Sequence, residues 1–162
     1  LRGNVDTRVK KMREQGLDAI VLAYAGVMRL GLEHMITEIL PPHIMLPAPG
    51  QGAIAVEARE RDGNVLGLLQ KINDRQTCLE TRAERAFLHR LHGGCQVPVG
   101  CLAQMQTEQL SLRGCIASPD GATIYTANID GNAEDAEMLG SALADRLLAE
   151  GASNILAHII KK

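Results

Sequence analysis

The first part of the chain alternates between amphipathic and continuously apolar stretches. Asn4 or Asp6 can cap a helix that runs to about Gln15, and Gly16 suits the left-handed residue that ends a helix. Residues 18–23 follow as an almost unbroken apolar run, which is typical of a parallel strand buried on both faces. Because one strand cannot form a sheet, we expect its neighbours to lie in sequence upstream of this chain.

A second helical pattern covers residues 25–39, where Val27, Leu30 and His34 recur three to four positions apart. The proline pair at 41–42 ends this helix, since proline has no backbone N–H to donate. The order helix, strand, helix predicts one piece of an α/β domain.

Proline and glycine then concentrate in residues 46–52, which we interpret as a linker or hinge between domains. Residues 53–58 alternate weakly between apolar and polar side chains and predict a strand. A further helix is expected at residues 65–72.

Residues 75–162 predict a self-contained α+β domain. Thr77 and Glu80 have the spacing of a capping box, which places there the start of a helix that runs to about His92. The glycine pair at 93–94 would end this helix. Its apolar face consists of Leu79, Ala83, Ala86, Phe87 and Leu91.

Three strand-like runs come next, at residues 98–104, 110–117 and 123–129, and residues 118–121 form a strong turn signal between the last two. A closing helix is expected at 133–150. Its apolar face carries Ala136, Leu139, Leu143 and Leu147. The predicted fold class is therefore α/β plus α+β, with a three-stranded antiparallel sheet packed on two helices in the second part.

Composition narrows the functional classes. The 162 residues are 46% apolar and 22% charged, which is a normal globular balance, but only 2% are aromatic, too few for nucleic-acid binding by stacking. A net charge of -2 argues against a globally basic binder of nucleic acid or membranes. We expect neither partner. The four cysteines of such a chain are expected to be free thiols in a reducing compartment, which predicts a cytoplasmic protein.

The first candidate for chemistry is Cys95, which follows two glycines at the predicted end of a helix. Glycines let the backbone turn sharply and leave room for a group to approach the sulfur. Nearby Arg90 could favour the thiolate, the nucleophilic form. Spacing alone leaves the alternative of an ordinary buried loop thiol.

The second candidate is an anion site around Arg2 and Arg8, which flank the start of the first predicted helix. Free backbone N–H groups and the positive end of the helix dipole also point to this place. Guanidinium groups bind carboxylates or phosphates bidentately, and Arg29 could reach the same cleft. The alternative is a solvated basic face with Asp6 and Glu14 as local partners.

The third candidate is a zinc site formed by His89, His92 and Cys95, three soft ligands within seven residues. Structural zinc needs a fourth ligand, and Cys101 is the nearest candidate. The alternative places both histidines on the polar side of the helix, and we expect no metal.

Five blocks along the chain are distinctive in combination. They are LRGNVxTR at 1–8, DAIVLA and AGxxRLG within 18–31, LPAPGQGA at 46–53, AER at 83–85 and GGCQVPVG at 93–100. In this order they resemble the porphobilinogen deaminase family over essentially the whole chain.

The resemblance implies a three-domain transferase of haem biosynthesis. Residues 1–46 would be the second half of the periplasmic-binding-protein-like domain 2, residues 47–74 a hinge and crossover segment of domain 1, and residues 75–162 domain 3. The family's first half, with the aspartate that stabilises the positively charged pyrrole intermediates, has no counterpart here. We therefore assign no catalytic residue and expect this chain by itself to be inactive.

The implied reaction joins four porphobilinogens head to tail with loss of ammonia and releases hydroxymethylbilane. A dipyrromethane held by a thioether primes it, and the resemblance assigns this cofactor to Cys95. The thiolate can capture the electrophile that remains when porphobilinogen loses ammonia. Implied partners are porphobilinogen, polypyrrole intermediates and the enzyme's own N-terminal half, and the intact enzyme is expected to be a monomer.

The resemblance also implies the roles of five further residues. Arg8 and Gly3 match cofactor-binding positions of the family, whereas Arg2, Arg29 and Gln51 match substrate-binding positions. Every pyrrole unit carries an acetate and a propionate, and arginines hold such groups well because they stay charged. Two other readings remain open: a non-catalytic carboxylate-binding or regulatory module, and a zinc-stabilised domain.

Overall fold

A computed structural model of the chain describes residues 1–91 and 98–160, with side chains up to Ala157. The chain divides into two compact units, Leu1–Leu40 and Pro41–Lys162. The three-stranded sheet lies in the second unit. No described helix is both long and apolar enough to cross a lipid bilayer.

The first unit begins with helix α1 (Val5–Glu14), which follows Asn4 as its cap residue. The Asn4 carbonyl accepts the Arg8 backbone N–H at 2.9 Å, although the Asn4 side chain makes no capping hydrogen bond. Gly16 ends the segment with a φ of 63°. The predicted first helix and its left-handed glycine are therefore confirmed.

The predicted strand at residues 18–23 is wrong for the described structure. This run forms no helix and belongs to no sheet, and Val21 is largely exposed. A strand needs a partner for its backbone N–H and C=O groups, and residues 1–40 contain no other extended segment paired with it. Where the sequence predicted a helix, a strand and a helix, the structure has two helices joined by an unpaired apolar segment.

The predicted second helix at residues 25–39 is also wrong in length. Helix α2 spans only Tyr24–Arg29, and a single 3-10 turn follows at Glu33–Met35. Gly31 separates the two with a φ of 64°, a left-handed conformation that ends a helix. Val27 is the buried residue of α2.

The second unit starts with irregular backbone. Residues 46–52 form no helix or strand, as expected for a linker. The predicted strand at 53–58 is wrong, because the segment has no partner strand and Ile54 is 90% exposed. Helix α3 (Gly63–Gln70) confirms the helix expected near 65–72, and the Asp62 carboxylate caps it by accepting the Val65 N–H at 3.1 Å.

The remaining residues form the expected α+β domain. Its sheet has the order β1-β2-β3, with antiparallel pairing on both sides of β2. The elements are α4 (Arg75–Arg90), β1 (Val99–Gln106), β2 (Gln109–Ala117), β3 (Ile124–Asn132), α5 (Ala136–Leu147) and α6 (Ser153–Ile160). The prediction of three strands and two packed helices is confirmed, and α6 was not predicted.

One face of the sheet packs against α4 and α5 to form the core of the domain. Phe87 of α4, Leu112 of β2 and Leu143 of α5 are fully buried there. The predicted apolar faces of both helices supply most of these contacts, and only Ala86 among their members stays partly exposed. The domain thus rests on aliphatic side chains and one phenylalanine.

Helix α4 begins two residues before the predicted capping box. Its cap residue is Asp74, whose carboxylate accepts the Thr77 N–H at 2.7 Å. Thr77 is therefore inside the helix, and its predicted role as the cap is wrong. Asp and Thr both suit the cap position, and the observed start is the one that satisfies the first-turn N–H group.

The closing helix at 133–150 is interrupted rather than continuous. Helix α5 ends at Leu147, and a short π-helical segment (Leu148–Ala152) leads into α6. Gly151 adopts a φ of 117° within this segment, and a Cβ at this position would lie 2.8 Å from the Tyr125 hydroxyl. The glycine therefore allows a kink where a larger residue would meet Tyr125 of β3.

Asp74→Ala is expected to lower the thermal midpoint of the domain, because the Thr77 N–H loses its acceptor. Hydrogen bonds from Thr77 hold the pKa of Asp74 below its ordinary value. The stabilisation is present at neutral pH and is lost as pH falls through this lowered pKa, so the two proteins should converge in acid. Asp135→Ala is the control, since Asp135 precedes α5 without a capping hydrogen bond. An equal loss in both variants would contradict the assignment.

Candidate functional site

The predicted site residues fall into three places. Arg2, Gly3, Arg8 and Arg29 lie in the unit Leu1–Leu40, and Gln51 lies in the unit Pro41–Lys162. Cys95 belongs to residues 92–97, which are outside the described residues. The structure therefore describes the four residues of the first unit, Gln51 in the second unit, and the elements on either side of Cys95.

The start of α1 brings Gly3 and Arg8 together. The Arg8 Nε donates to the Gly3 carbonyl at 2.8 Å, and Lys11 donates to the Arg2 carbonyl at 2.9 Å. Gly3 has a φ of 126°, and a Cβ there would lie 2.9 Å from the Thr7 side chain. Two cationic side chains thus fold back over the loop that precedes the helix, and this loop conformation requires glycine at position 3.

The carboxylates that could neutralise these arginines are engaged elsewhere. Glu14 pairs with Lys10 at 3.6 Å, and Asp6 accepts a hydrogen bond from the Thr7 hydroxyl. Among the described residues, no carboxylate lies within ion-pair distance of Arg2 or Arg8. The start of α1 therefore combines unneutralised guanidinium charge with the positive end of a helix, which favours an anion.

Arg29 is the last residue of α2 and is exposed. Like Arg2 and Arg8, it has no carboxylate partner in the described part of the chain. Arg13 and Arg85 also lack one, so an unpaired guanidinium does not by itself distinguish a binding residue. The structure leaves the Arg29 side chain available for a ligand.

Gln51 lies at an exposed turn between two glycines in the left-handed region, Gly50 with a φ of 74° and Gly52 with a φ of 81°. The Gly50 N–H donates to the carboxylate of Glu84 in α4 at 2.7 Å. The backbone next to Gln51 is thus attached to the C-terminal domain through a buried side chain.

Three acceptors cover the free edge of β1. The Cys101 N–H donates to the Pro47 carbonyl at 2.9 Å, the Ala103 N–H to Glu84 at 2.9 Å, and the Met105 N–H to Glu80 at 2.8 Å. Alternate N–H groups of an edge strand would otherwise be open to pairing with another chain. The linker and α4 together complete this edge.

Sequence reasoning gave no role to Glu84 beyond its place in the block AER. It is 4% exposed and is the buried charged residue among those described. Burial raises the pKa of its carboxyl group above the ordinary value, while the hydrogen bonds from Ala103 and Gly50 oppose that rise. The available signal was a glutamate between Ala83 and Phe87, on the apolar side of a helical pattern.

The elements on either side of Cys95 are defined although Cys95 is not. Helix α4 ends at Arg90 with the buried Leu91 after it, and β1 starts at Val99. The Arg90 Nε donates to Asp145 of α5 at 2.7 Å, so this guanidinium already has a carboxylate partner. The expectation that Arg90 favours the Cys95 thiolate remains a prediction.

The zinc alternative finds no support in the described part of the chain. No group of three or more metal-binding side chains occurs there, although His92 and Cys95 lie outside it. His89 is exposed on α4, as the alternative without metal expected. Cys101 is fully buried in the core, and burial raises the pKa of its thiol.

Two family models match the chain in succession. Residues 1–67 match the model described as porphobilinogen deaminase, dipyromethane cofactor binding domain. Residues 78–149 match the model described as porphobilinogen deaminase, C-terminal domain. The first match contains all five predicted binding residues other than Cys95, and the second contains Cys95 and most of the α+β core.

Several curated relatives align with nearly the whole chain. A porphobilinogen deaminase from Syntrophomonas wolfei is 53% identical over 161 residues, which cover 99% of this chain and 53% of the relative. One from Pelotomaculum thermopropionicum is 51% identical, covering 96% of this chain and 50% of the relative. One from Brevibacillus brevis is 44% identical, covering 100% and 52%. The chain spans about half the length of these relatives.

Proposed function

The chain belongs to the porphobilinogen deaminase family, and we propose that it forms the cofactor-bearing part of an enzyme that joins four porphobilinogens into hydroxymethylbilane. The observation that carries the proposal is the match of two models of this one family, in succession, to residues 1–67 and 78–149. The reaction is a transfer with loss of ammonia at each addition, in the pathway to haem. We assign no residue of this chain to the family's catalytic aspartate.

Cys95 is proposed to hold the dipyrromethane through a thioether. When bound, this cofactor supplies the free pyrrole carbon to which the next unit is added. A cysteine suits the attachment because its thiolate attacks carbon readily. Two of the other three cysteines are less suited, because Cys101 is buried in the core and burial raises the pKa of Cys115.

Arg8 and Gly3 are proposed to bind the cofactor. The donor set fits its acetate and propionate groups, because guanidinium groups bind carboxylates bidentately and keep their charge. Arg8 uses its Nε for the Gly3 carbonyl at 2.8 Å, which orients the rest of the guanidinium. The conformation of Gly3 shapes the loop that carries Arg2, and the backbone N–H groups at the start of α1 add further donors.

Arg2, Arg29 and Gln51 are proposed to bind substrate. Each added porphobilinogen brings two carboxylates, so the growing chain needs more cationic groups than the cofactor alone. Arg2 and Arg29 have no carboxylate partner among the described residues, which leaves both available. Gln51 offers an amide donor and acceptor at an exposed turn.

The domain assignment is also proposed: residues 1–46 complete a domain 2, 47–74 cross to a domain 1, and 75–162 form domain 3. Exposed apolar side chains support it. A depression of about 240 Å³ in the first unit is lined by five apolar residues, Leu1, Leu17 and residues 20–22, and by Arg8. Ile54, Leu68 and Ile72 are exposed in the crossover segment. Such surface is expected to be covered by the sheets of the complete enzyme.

Cys95→Ser is expected to abolish a mass increase equal to two pyrrole units, measured on protein that includes the additional half found in the relatives. The hydroxyl of serine is a far weaker nucleophile at neutral pH, so the thioether cannot form. Cys78→Ser is the matched control and should keep the adduct. Active protein without any adduct would overturn the proposal. This chain produced by itself should be inactive with an unmodified Cys95.

A further inference from the structure

Glu84 uses both carboxylate oxygens to join two separate parts of the second unit. Its Oε2 accepts the Gly50 N–H at 2.7 Å, and its Oε1 accepts the Ala103 N–H at 2.9 Å. Gly50 belongs to the linker and Ala103 to β1, so one side chain of α4 holds both. No described buried side-chain polar atom lacks a partner, so this carboxylate is fully engaged.

We propose that Glu84 is a positioning residue that fixes the Gly50–Gln51 turn to β1, and thereby sets where the Gln51 side chain stands relative to the domain that carries Cys95. The importance of this position rests on the proposed function of Gln51. The hydrogen-bonding role of Glu84 itself does not depend on that function.

Among the described residues, two further contacts join the linker to β1, and both lie upstream of the turn. The Pro47 carbonyl accepts the Cys101 N–H at 2.9 Å, and Leu46 packs so closely on Gly100 that a Cβ there would lie 2.8 Å from it. These contacts hold the start of the linker. Loss of Glu84 would therefore leave residues 46–47 in place and free the turn at Gly50.

A neutral side chain cannot replace the carboxylate. The two N–H groups reach different oxygens of the carboxylate, and glutamine places an NH₂ group where one of those oxygens stands. Glu84→Gln therefore keeps the volume of the side chain and loses one of the two hydrogen bonds. Burial makes that loss expensive, because the released N–H or the amide NH₂ faces another donor.

Glu80 is the matched control on the same helix. Its Oε1 accepts the Met105 N–H at 2.8 Å and the Gln76 amide at 2.9 Å, and none of its hydrogen bonds reaches the linker. Glu80→Gln thus removes a carboxylate that supports the same strand edge without touching the turn.

Amide hydrogen exchange on the 162-residue chain tests the attachment. In Glu84→Gln, amide exchange at Gly50 or Ala103 should accelerate by about tenfold or more. The charge-assisted hydrogen bond that opposes local opening at that N–H is lost. Met105 should be unaffected. In Glu80→Gln, exchange at Gly50 and Ala103 should be unchanged, and Met105 should keep its acceptor, because one amide oxygen can take the place of Oε1. Unchanged exchange at both Gly50 and Ala103 in a folded Glu84→Gln protein would overturn the proposal.

A titration of the unmodified chain covers the case in which Glu84→Gln does not fold. As pH is varied, the amide chemical shifts of Gly50 and Ala103 should change together. Their midpoint should equal that of the Glu84 carboxyl carbon. Two other titratable groups interact electrostatically with Glu84. The charge of Glu80 raises the pKa of Glu84, and the charge of Glu84 raises the pKa of Cys101. In Glu80→Gln, both amide shifts should still follow the Glu84 carboxyl, at a lower midpoint, because the negative charge of Glu80 raises the pKa of Glu84. Amide shifts that do not follow Glu84 would contradict the attachment.

A double-mutant cycle in the complete enzyme tests the link to Gln51. If Glu84 acts through the turn, Glu84→Gln should lower kcat/KM by about tenfold alone but by less than about twofold when Gln51→Ala is already present. Independent, additive losses would overturn the positioning role. If the complete wild-type enzyme has no deaminase activity, the proposed function fails, whereas the exchange result still decides the attachment.

Discussion

Gly140→Ala is expected to destabilise the C-terminal domain by about 3 kcal/mol or more, the upper range for overpacking a core. Gly140 lies where α5 crosses α4, and a Cβ there would overlap with the Ala83 carbonyl oxygen and lie 2.9 Å from the Phe87 backbone nitrogen. These obstacles are backbone atoms and cannot rotate away. The helices must therefore separate and loosen the packing around Phe87. The shift in the urea unfolding midpoint measures the effect.

Gly67→Ala is the matched control for this substitution. Gly67 is a helical glycine in α3, and nothing lies within 4 Å of a Cβ at this position. Alanine favours a helix over glycine by roughly 0.5–1 kcal/mol, so this change should be neutral or slightly stabilising. A comparable loss of stability in both variants would show that the close helix crossing at Gly140 does not limit the domain.

Arg8→Leu is expected to leave most of the complete enzyme without its covalent adduct, with occupancy below about one tenth of wild type, because a charged, bidentate contact to carboxylates is lost. Leucine also removes the hydrogen bond from Arg8 Nε to the Gly3 carbonyl, so the loop before α1 loses its support. Intact-mass measurement of freshly purified protein gives the occupancy.

Two variants separate the role of Arg8 from general charge. Arg8→Lys keeps the charge but not the planar fork, and should give an intermediate occupancy. Arg13→Leu removes an exposed arginine from the last turn of the same helix and should leave the adduct intact. Full occupancy of the covalent adduct in Arg8→Leu would contradict the assignment of an anion site to the start of α1.

The α+β domain could be predicted because its patterns are self-contained. The runs that became β1, β2 and β3 pair with one another within the chain, and the apolar spacing of α4 and α5 supplies the other side of the same core. Local periodicity then agrees with tertiary packing. The start of α4 differs because several residues near a boundary suit a cap. The closing helix is interrupted at Gly151, and α6 was not predicted.

The runs at 18–23 and 53–58 could not be predicted in the same way. Both have the composition of strands, but a strand exists only when another chain segment satisfies its backbone groups. The described residues offer no such segment to either run. The predicted length of the second helix was wrong for a local reason. Gly31 adopts the left-handed conformation within a pattern that otherwise favours a helix.

The sequence by itself determined the family, because five short blocks in one order are specific where a lone cysteine or arginine is not. Through the resemblance that those blocks carry, it also supplied the candidate site residues. Only the tertiary structure decided that Glu84 joins the linker to β1 and that Gly140 admits no Cβ. Those properties depend on atoms distant in sequence meeting at hydrogen-bonding or van der Waals distance, which no local pattern contains.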